Sequence, residues 1–189
     1  MIFAAAPSQN EVLSQLIAFD DIDWSRINAF HMDEYIGLAE EDADKSFGRF
    51  LCEHIFDRVP FKSVSLVNGC AVDTEAECAR YTELLKANPT DIVVMGIGEN
   101  GHIAFNEPPE PGEVCTDEEF LERPTRVLQL ARETKTINAF MNCGADLDGI
   151  PDLCITVGMK EINFARKIRM CMPRDWNAAM LRKALHGPV

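Results

Sequence analysis

Basic residues are scarce in this chain. Its 18 lysines and arginines face 31 aspartates and glutamates, a net charge of −13. That balance argues against nucleic acid and anionic membranes as general partners, because both would be repelled. A small anionic substrate stays open, since one local pocket can be positive in an acidic protein. The acid excess otherwise serves solubility. Long apolar runs are missing as well. None reaches the ~18 residues that span a bilayer, and the opening stretch Met1 to Pro7 lacks the basic segment of a signal peptide. The seven cysteines, at 52, 70, 78, 115, 143, 154 and 171, include no Cys-x-x-Cys, so no zinc-ribbon pattern follows. Their odd number, with no secretory leader, fits reduced thiols and a cytoplasmic location. Four histidines without metal spacing argue against a catalytic zinc. No serine or cysteine stands in a nucleophile elbow.

What is present is a generous apolar fraction, 47% of 189 residues, enough for one domain with its own core. There are no repeats, no low-complexity tail and no flexible linker, so a single domain over 1–189 is expected. Short β-type runs alternate with helical patterns, which predicts an α/β fold with an open, mostly parallel sheet and helices on both faces. Strands are expected over 2–5, 26–32, 63–67, 91–97, 126–130, 153–157 and 167–172. Helices are expected over 46–58, 133–141 and 176–185. Two capping boxes are expected to open further helices, Ser8-Gln9-Asn10-Glu11 and Thr74-Glu75-Ala76-Glu77. The stretch 107–123 holds Pro108, Pro109 and Pro111 and is acidic, with Glu110, Glu113, Asp117, Glu118 and Glu119. It reads as a surface loop or lid.

Gly96-Ile97-Gly98-Glu99-Asn100-Gly101 follows a strand and matches G-x-G-x-x-G. Alone, that suggests a dinucleotide site. Such a site needs a helix opening at the glycines, with its amides toward the pyrophosphate. Here Pro108 and Pro109 leave no room for a long one, so the glycines read as a tight turn against a ligand.

Two polar clusters fall after strands, where open α/β sheets bind ligands. One is Met32-Asp33-Glu34-Tyr35. The other is Gly98 to Glu107. Singly, each residue has an ordinary structural reading. Asp33 can cap a turn, Glu34 can be a structural partner, and His31, His54 and His102 can be satisfied histidines. Their joint placement points instead to proton transfer. Histidine titrates near neutrality, and a shielded carboxylate can act as a general base.

At these residues the chain resembles a known family. Phe30-His31-Met32-Asp33-Glu34-Tyr35-Ile36-Gly37-Leu38 and Gly96 to Pro108 are similar to the two signature segments of glucosamine-6-phosphate deaminases. Weaker similarity continues through Ile155 to Met159 and Lys183 to Pro188, so it covers nearly the whole chain. Tyr35 and Ile103-Ala104-Phe105-Asn106-Glu107 favour the deaminases over the sister 6-phosphogluconolactonases. The resemblance implies a Rossmann-like sheet and conversion of glucosamine 6-phosphate to fructose 6-phosphate and ammonia. It implies no metal and no organic cofactor. His102 would assist ring opening, Asp33 would carry the proton between carbons 2 and 1, and Glu107 would orient His102. Asn100 would join that catalytic set. Ser8, Gln9, Glu34, Tyr35, Gly98 and Gly101 would contact the substrate. The alternatives are another sugar-phosphate enzyme of this fold, such as a lactonase, or a non-catalytic sugar-phosphate-binding paralogue.

The chain departs from the family pattern at the phosphate. The loop Ala6-Pro7-Ser8-Gln9-Asn10 replaces a Gly-Gly-Ser/Thr-Pro-like loop, leaving Ser8, Gln9 and helix-start amides to hold the anion. Phe140 aligns with an expected arginine and Asn177 with an expected lysine. Arg132, Lys135 and Arg174 are the cations left to compensate. Both ends are shorter than the family's. Missing terminal elements would uncover apolar faces and favour a homo-oligomer.

Overall fold

In chain order the elements are β1 (Ile2–Phe3), α1 (Asn10–Ile17), β2 (Asn28–His31), β3 (Asp33–Tyr35), α2 (Phe47–Leu51), β4 (Ser63–Ser65), α3 (Thr74–Ala87) and β5 (Ile92–Met95). They continue with α4 (Asp117–Leu121), β6 (Arg126–Gln129), α5 (Arg132–Asn142), β7 (Leu153–Thr156), α6 (Met159–Asn163), β8 (Lys167–Met170) and α7 (Ala178–His186). The computed structural model describes residues 1–109 and 112–187. Glu110 and Pro111, expected in the acidic loop, lie outside the described residues, as do Pro188 and Val189.

Five strands form one parallel sheet in the order β4-β2-β1-β5-β8. Successive side chains of a strand point to opposite faces, and the core divides accordingly. Ile2, Phe30, Val93 and Met95 pack on one face with Tyr81 and Leu85 of α3. Phe3, Ala29 and Val94 pack on the other with Leu13 of α1 and Leu51 of α2. Helices therefore cover both faces, as the alternating pattern predicts.

The remaining strands do not join that sheet. β3, β7 and β6 make a separate antiparallel sheet, with Asp33 opposite Thr156 and Arg126 opposite the same Thr156. β3 was expected as a polar cluster beyond a strand end. It pairs instead with a partner more than 100 residues away, and Tyr35 and Cys154 anchor a third cluster beneath it with Phe105 and Leu130.

The helix starts differ from the expected capping boxes. Pro7 opens a 3-10 turn over Pro7–Gln9, and Ser8 makes no cap to the backbone. Proline's fixed φ suits the first helical position, so the helical path begins before Ser8 can cap it. At α3 the cap is Asp73, which accepts from the Ala76 amide at 2.9 Å. Glu77 turns inward instead and accepts from the Asn68 amide at 2.7 Å and from Arg80. The acidic stretch 107–123 contains α4, a short helix with a complete capping box between Thr116 and Glu119. The expected helix over 46–58 begins at its Ser46 cap and passes into π-helical geometry over Cys52–Phe56.

Candidate active site

The sheet order reverses at its centre. β1 is flanked by β2 on one side and β5 on the other, so the loops leaving β1 and β5 part above a common gap. Open α/β sheets place ligands in such gaps. A cavity of about 180 Å³ occupies this one. Its walls are residues 4–9 after β1, residues 96–99 after β5, and Asp33, His102, Thr134, Asn138 and Asn177.

The glycine segment forms a turn with no helix at its glycines. The Gly98 amide donates to the His102 carbonyl at 2.9 Å, and the Gly101 amide to the Gly98 carbonyl at 3.0 Å. Gly101 has φ +98°, which favours glycine. At Gly98 a Cβ would stand 2.1 Å from His102 Cε1. The missing side chain is what lets the imidazole lie in the wall. The reading of these glycines as a close turn thus agrees with the structure.

Asn100 sets the state of His102. Its Nδ2 donates to Glu107 Oε2 at 2.6 Å, and a carboxylate only accepts. That fixes the amide's orientation. Asn100 Oδ1 must then face the imidazole, where it lies 3.1 Å from the His102 amide and 2.7 Å from Nδ1. An amide oxygen cannot donate, so Nδ1 carries the ring proton and Nε2 keeps its lone pair. Burial lowers the proton affinity of His102, against the opposing charge of Glu107. The imidazole is a neutral base or acceptor at pH 7. Glu107 Oε2 lies 3.7 Å from Nδ1, so the expected orientation by Glu107 passes through Asn100. The other Glu107 oxygen accepts from the hydroxyl of Thr134.

Asp33 is 7% exposed and reaches the same cavity. Burial, and then the neighbouring charge of Glu34, push its carboxyl from 3.8 up to about 8. An acid of that strength can hold and release a proton near neutrality.

The expected substrate contacts divide. Ser8, Gln9 and Gly98 line the cavity; Glu34, Tyr35 and Gly101 are not among its lining residues. Glu34 caps α2 instead, accepting from Ser46 Oγ at 2.6 Å, Gly48 N at 2.9 Å and Phe47 N at 3.1 Å. Burial works to raise its carboxyl, but His31, Ser46 and the Gly48 amide outweigh burial and hold it below its usual value. Tyr35 is 1% exposed and packs against Phe47 and Phe105. Its hydroxyl accepts from Asn138 Nδ2 at 2.8 Å, which positions an amide that does line the wall. Asn100 and Glu107 stand behind His102 rather than in the wall. Thr134 and Asn138 were not foreseen. They lie on α5, far along the chain from both polar clusters, and no spacing signal links them to His102. Neither His31 nor His54 lines the cavity, and His31 Nε2 makes no hydrogen bond among the described residues, standing 3.7 Å from Glu34 Oε2. His31 Nδ1 accepts from the Val67 amide at 3.1 Å, and the His54 ring stacks on Phe50 with centroids 4.0 Å apart.

The loop carrying these groups is pinned from below. Asn106 is fully buried, donates to the Ile103 and Val157 carbonyls and accepts from Arg126. Ala104, in the cavity wall, has φ +55°, a conformation that costs energy in a residue with a Cβ.

A parallel sheet with a buried acid and a neutral imidazole at its switch point defines an α/β enzyme equipped for proton transfer. Residues 7–118 match the family of glucosamine-6-phosphate isomerases and 6-phosphogluconolactonase, and the chain belongs to that family. It is 33% identical over 186 residues to a glucosamine-6-phosphate deaminase of Lactobacillus delbrueckii subsp. bulgaricus, covering 98% of this chain and 74% of the relative. It is 35% identical over 166 residues to a glucosamine-6-phosphate deaminase of Bacillus cereus, covering 88% of this chain and 59% of that one. The chain thus spans less than two thirds of the Bacillus protein. Among solved structures, a monomeric glucosamine-6-phosphate deaminase superposes with a TM-score of 0.82 at 28% identity, over 100% of this chain and 76% of that one. A 6-phosphogluconolactonase of Thermotoga maritima, at 18% identity and a TM-score of 0.70 over 99% and 75%, shares the fold. The family expected from the two segments is the family found.

Proposed function

We propose that the protein is an amino-sugar-phosphate deaminase and isomerase, converting glucosamine 6-phosphate to fructose 6-phosphate and ammonia. The observation that carries this reading is one cavity holding Asp33, a buried acid lifted to about 8, together with a tautomer-fixed His102. The names of the relatives supply the substrate. His102 Nε2, with its lone pair, takes the hydroxyl proton at carbon 1 and hands it to the ring oxygen as the bond between carbon 1 and that oxygen breaks and the ring opens. Asp33 moves the proton from carbon 2 to carbon 1. The C–N bond at carbon 2 breaks as water adds there, so oxygen enters, ammonia leaves and no external oxidant or reductant is needed. Asn100 and Glu107 hold His102, and Ser8, Gln9 and Gly98 line the substrate's space.

A coupled assay for ammonia on the purified protein tests this. Steady release from glucosamine 6-phosphate is expected. A folded protein that releases none, or that hydrolyses 6-phosphogluconolactone instead, would overturn it.

The wider setting follows from the same reading. No helix among the described residues is long and apolar enough to cross a membrane, and the cysteines are free thiols. Both support a cytoplasmic enzyme acting on a small molecule. Exposed Phe140, Phe164 and Leu185 support self-association, which light scattering across a concentration series would register.

A further inference from the structure

Helix α5 turns one side to the cavity. Thr134, Ile137, Asn138 and Met141 line it, and residues three and four apart share a helix face. Ile137 and Met141 are apolar, and Thr134 commits its hydroxyl to Glu107 beside His102. Asn138 is the residue of this face with hydrogen-bonding capacity to spare. Its Nδ2 donates to the Tyr35 hydroxyl at 2.8 Å, and its Oδ1 has no partner among the described residues. Unlike the oxygens of Gln9 and Asn177, Oδ1 is not among the atoms cut off from solvent. A tyrosine hydroxyl both donates and accepts, so turning the amide over would tie Oδ1 and free Nδ2. In either orientation one end of the carboxamide is held and the other is open.

The anchor is rigid and neutral. The Tyr35 ring is buried beside Phe47 and Phe105, with centroids 4.6 and 6.0 Å away. Burial pushes its phenol well above the usual range, so the hydroxyl keeps its proton. Asp33 and Tyr35 stand two apart on β3, and alternate residues of a strand share a face. Asn138 is therefore fastened to the face that presents Asp33. In the deaminase reading His102 works at carbon 1 and Asp33 at carbon 2. The next polar substituents along the sugar are the hydroxyls on carbons 3 and 4. A hydroxyl pairs with a free amide oxygen or a free amide nitrogen alike. An ammonium group only donates, and a phosphate dianion only accepts.

We infer that Asn138 is a specificity-determining residue, whose open carboxamide end hydrogen-bonds a ring hydroxyl at carbon 3 or 4 of the sugar, and that Tyr35 is its positioning residue. The inference rests on the deaminase reading and deepens it. The Tyr35 hydroxyl, expected to contact the substrate, acts on it through Asn138.

The test titrates glucosamine 6-phosphate and its 3-deoxy and 4-deoxy derivatives by calorimetry into the parent, Asn138→Ala and Tyr35→Phe proteins. The ammonia assay supplies kcat and KM. In the parent, at least one missing hydroxyl should weaken binding roughly 3- to 10-fold, the worth of one hydrogen bond. Asn138→Ala should weaken binding of the complete sugar by a similar factor and abolish the penalty at that same position, because two deletions of one contact do not add. KM should rise with kcat nearly unchanged, as expected when binding common to ground and transition state is removed. Tyr35→Phe keeps the ring and should reduce the same penalty in part. An Asn138→Ala protein that keeps both deoxy penalties in full, or that loses kcat at constant KM, would overturn the contact. A Tyr35→Phe protein with an undiminished penalty would overturn the positioning role. If no sugar releases ammonia, the deaminase reading fails, and the titrations still decide whether Asn138 holds a hydroxyl.

Discussion

The two walls of the cavity are finished to different degrees. Around His102, the amide of Asn100, the carboxylate of Glu107 and the hydroxyl of Thr134 satisfy one another before any ligand arrives. Across the cavity, Gln9 Oε1 and Asn177 Oδ1 are buried acceptors with no hydrogen-bond partner among the described residues. Proton transfer demands a base fixed in position and protonation state, and the first wall supplies it in advance. Substitutions at the first wall should therefore act on rate, and those at the second on substrate preference.

The sharpest way to break this division is Asp33→Asn. Removing the acid that carries the proton should lower kcat by roughly 10²–10⁴. The fold should respond in the opposite sense. The folded carboxyl sits at about 8 against an ordinary 3.8. Its stabilising effect is complete below pH 3.8 and is lost as pH rises toward 8. Asparagine has no charge to bury. Thermal denaturation should show the variant more stable than the parent at pH 8, with little difference near pH 3.5. A variant with full turnover, or one destabilised at pH 8, would contradict the assignment.

The next largest effect concerns pH itself. If burial holds Asp33 protonated at neutrality, the fraction ionised grows about tenfold per pH unit well below 8, and about a hundredfold in all from pH 6 to its plateau above 8. kcat/KM should climb over that range and level above it, and carbon-13 NMR of the Asp33 carboxyl should follow the same curve. A carboxyl already ionised at pH 6 would detach Asp33 from the profile.

Gly98→Ala should follow, with a loss of about a hundredfold in kcat, the scale of a 1 Å misplacement at an active site. The added Cβ falls on the imidazole at 2.1 Å, so His102 must leave the wall. The relative kcat/KM for different amino-sugar phosphates, set across the cavity, should stay the same. A changed preference would show that the two walls are coupled.

How much of this was legible in the chain differs between the walls. The parallel strands announce themselves, because Ile92-Val93-Val94-Met95 is a short apolar run and strand neighbours alternate faces. The clusters holding Asp33, His102 and Glu107 could be placed because they are local to two such strands, while their roles, and Asn100's, came from the family resemblance. Of the antiparallel sheet, β6 and β7 read as strands, but β3 and its pairing did not, since Asp33-Glu34-Tyr35 has the polarity of a loop and its partner β7 is distant in the chain. Of the two readings open for Glu34, the structural partner is the one its contacts support. Its carboxylate finds the amides of α2 only once the chain has folded. The acceptors of the second wall are likewise tertiary. A buried Gln9 Oε1 is orphaned by where the Cys171 carbonyl lies, 162 residues along the chain.

Thr134→Val is the mildest way to sharpen the comparison. Valine keeps the shape of threonine and removes the hydroxyl, which donates to Glu107 and lies 3.4 Å from His102 Nδ1. Glu107 then keeps Asn100 as its donor, and Asn100 still faces His102. The tautomer should survive, so kcat should fall by no more than about tenfold, the worth of one ordinary hydrogen bond. What should move is the acid limb of the pH profile. A Glu107 carboxylate relieved of one donor holds more of its charge toward the imidazole 3.7 Å away. That charge already raises the proton affinity of His102 against burial. The His102 limb should shift upward while KM for glucosamine 6-phosphate stays within about twofold, well inside one hydrogen bond's worth. A shifted KM with an unmoved pH profile would place Thr134 in substrate recognition, and the first wall would no longer be the part of the site that is complete without its ligand.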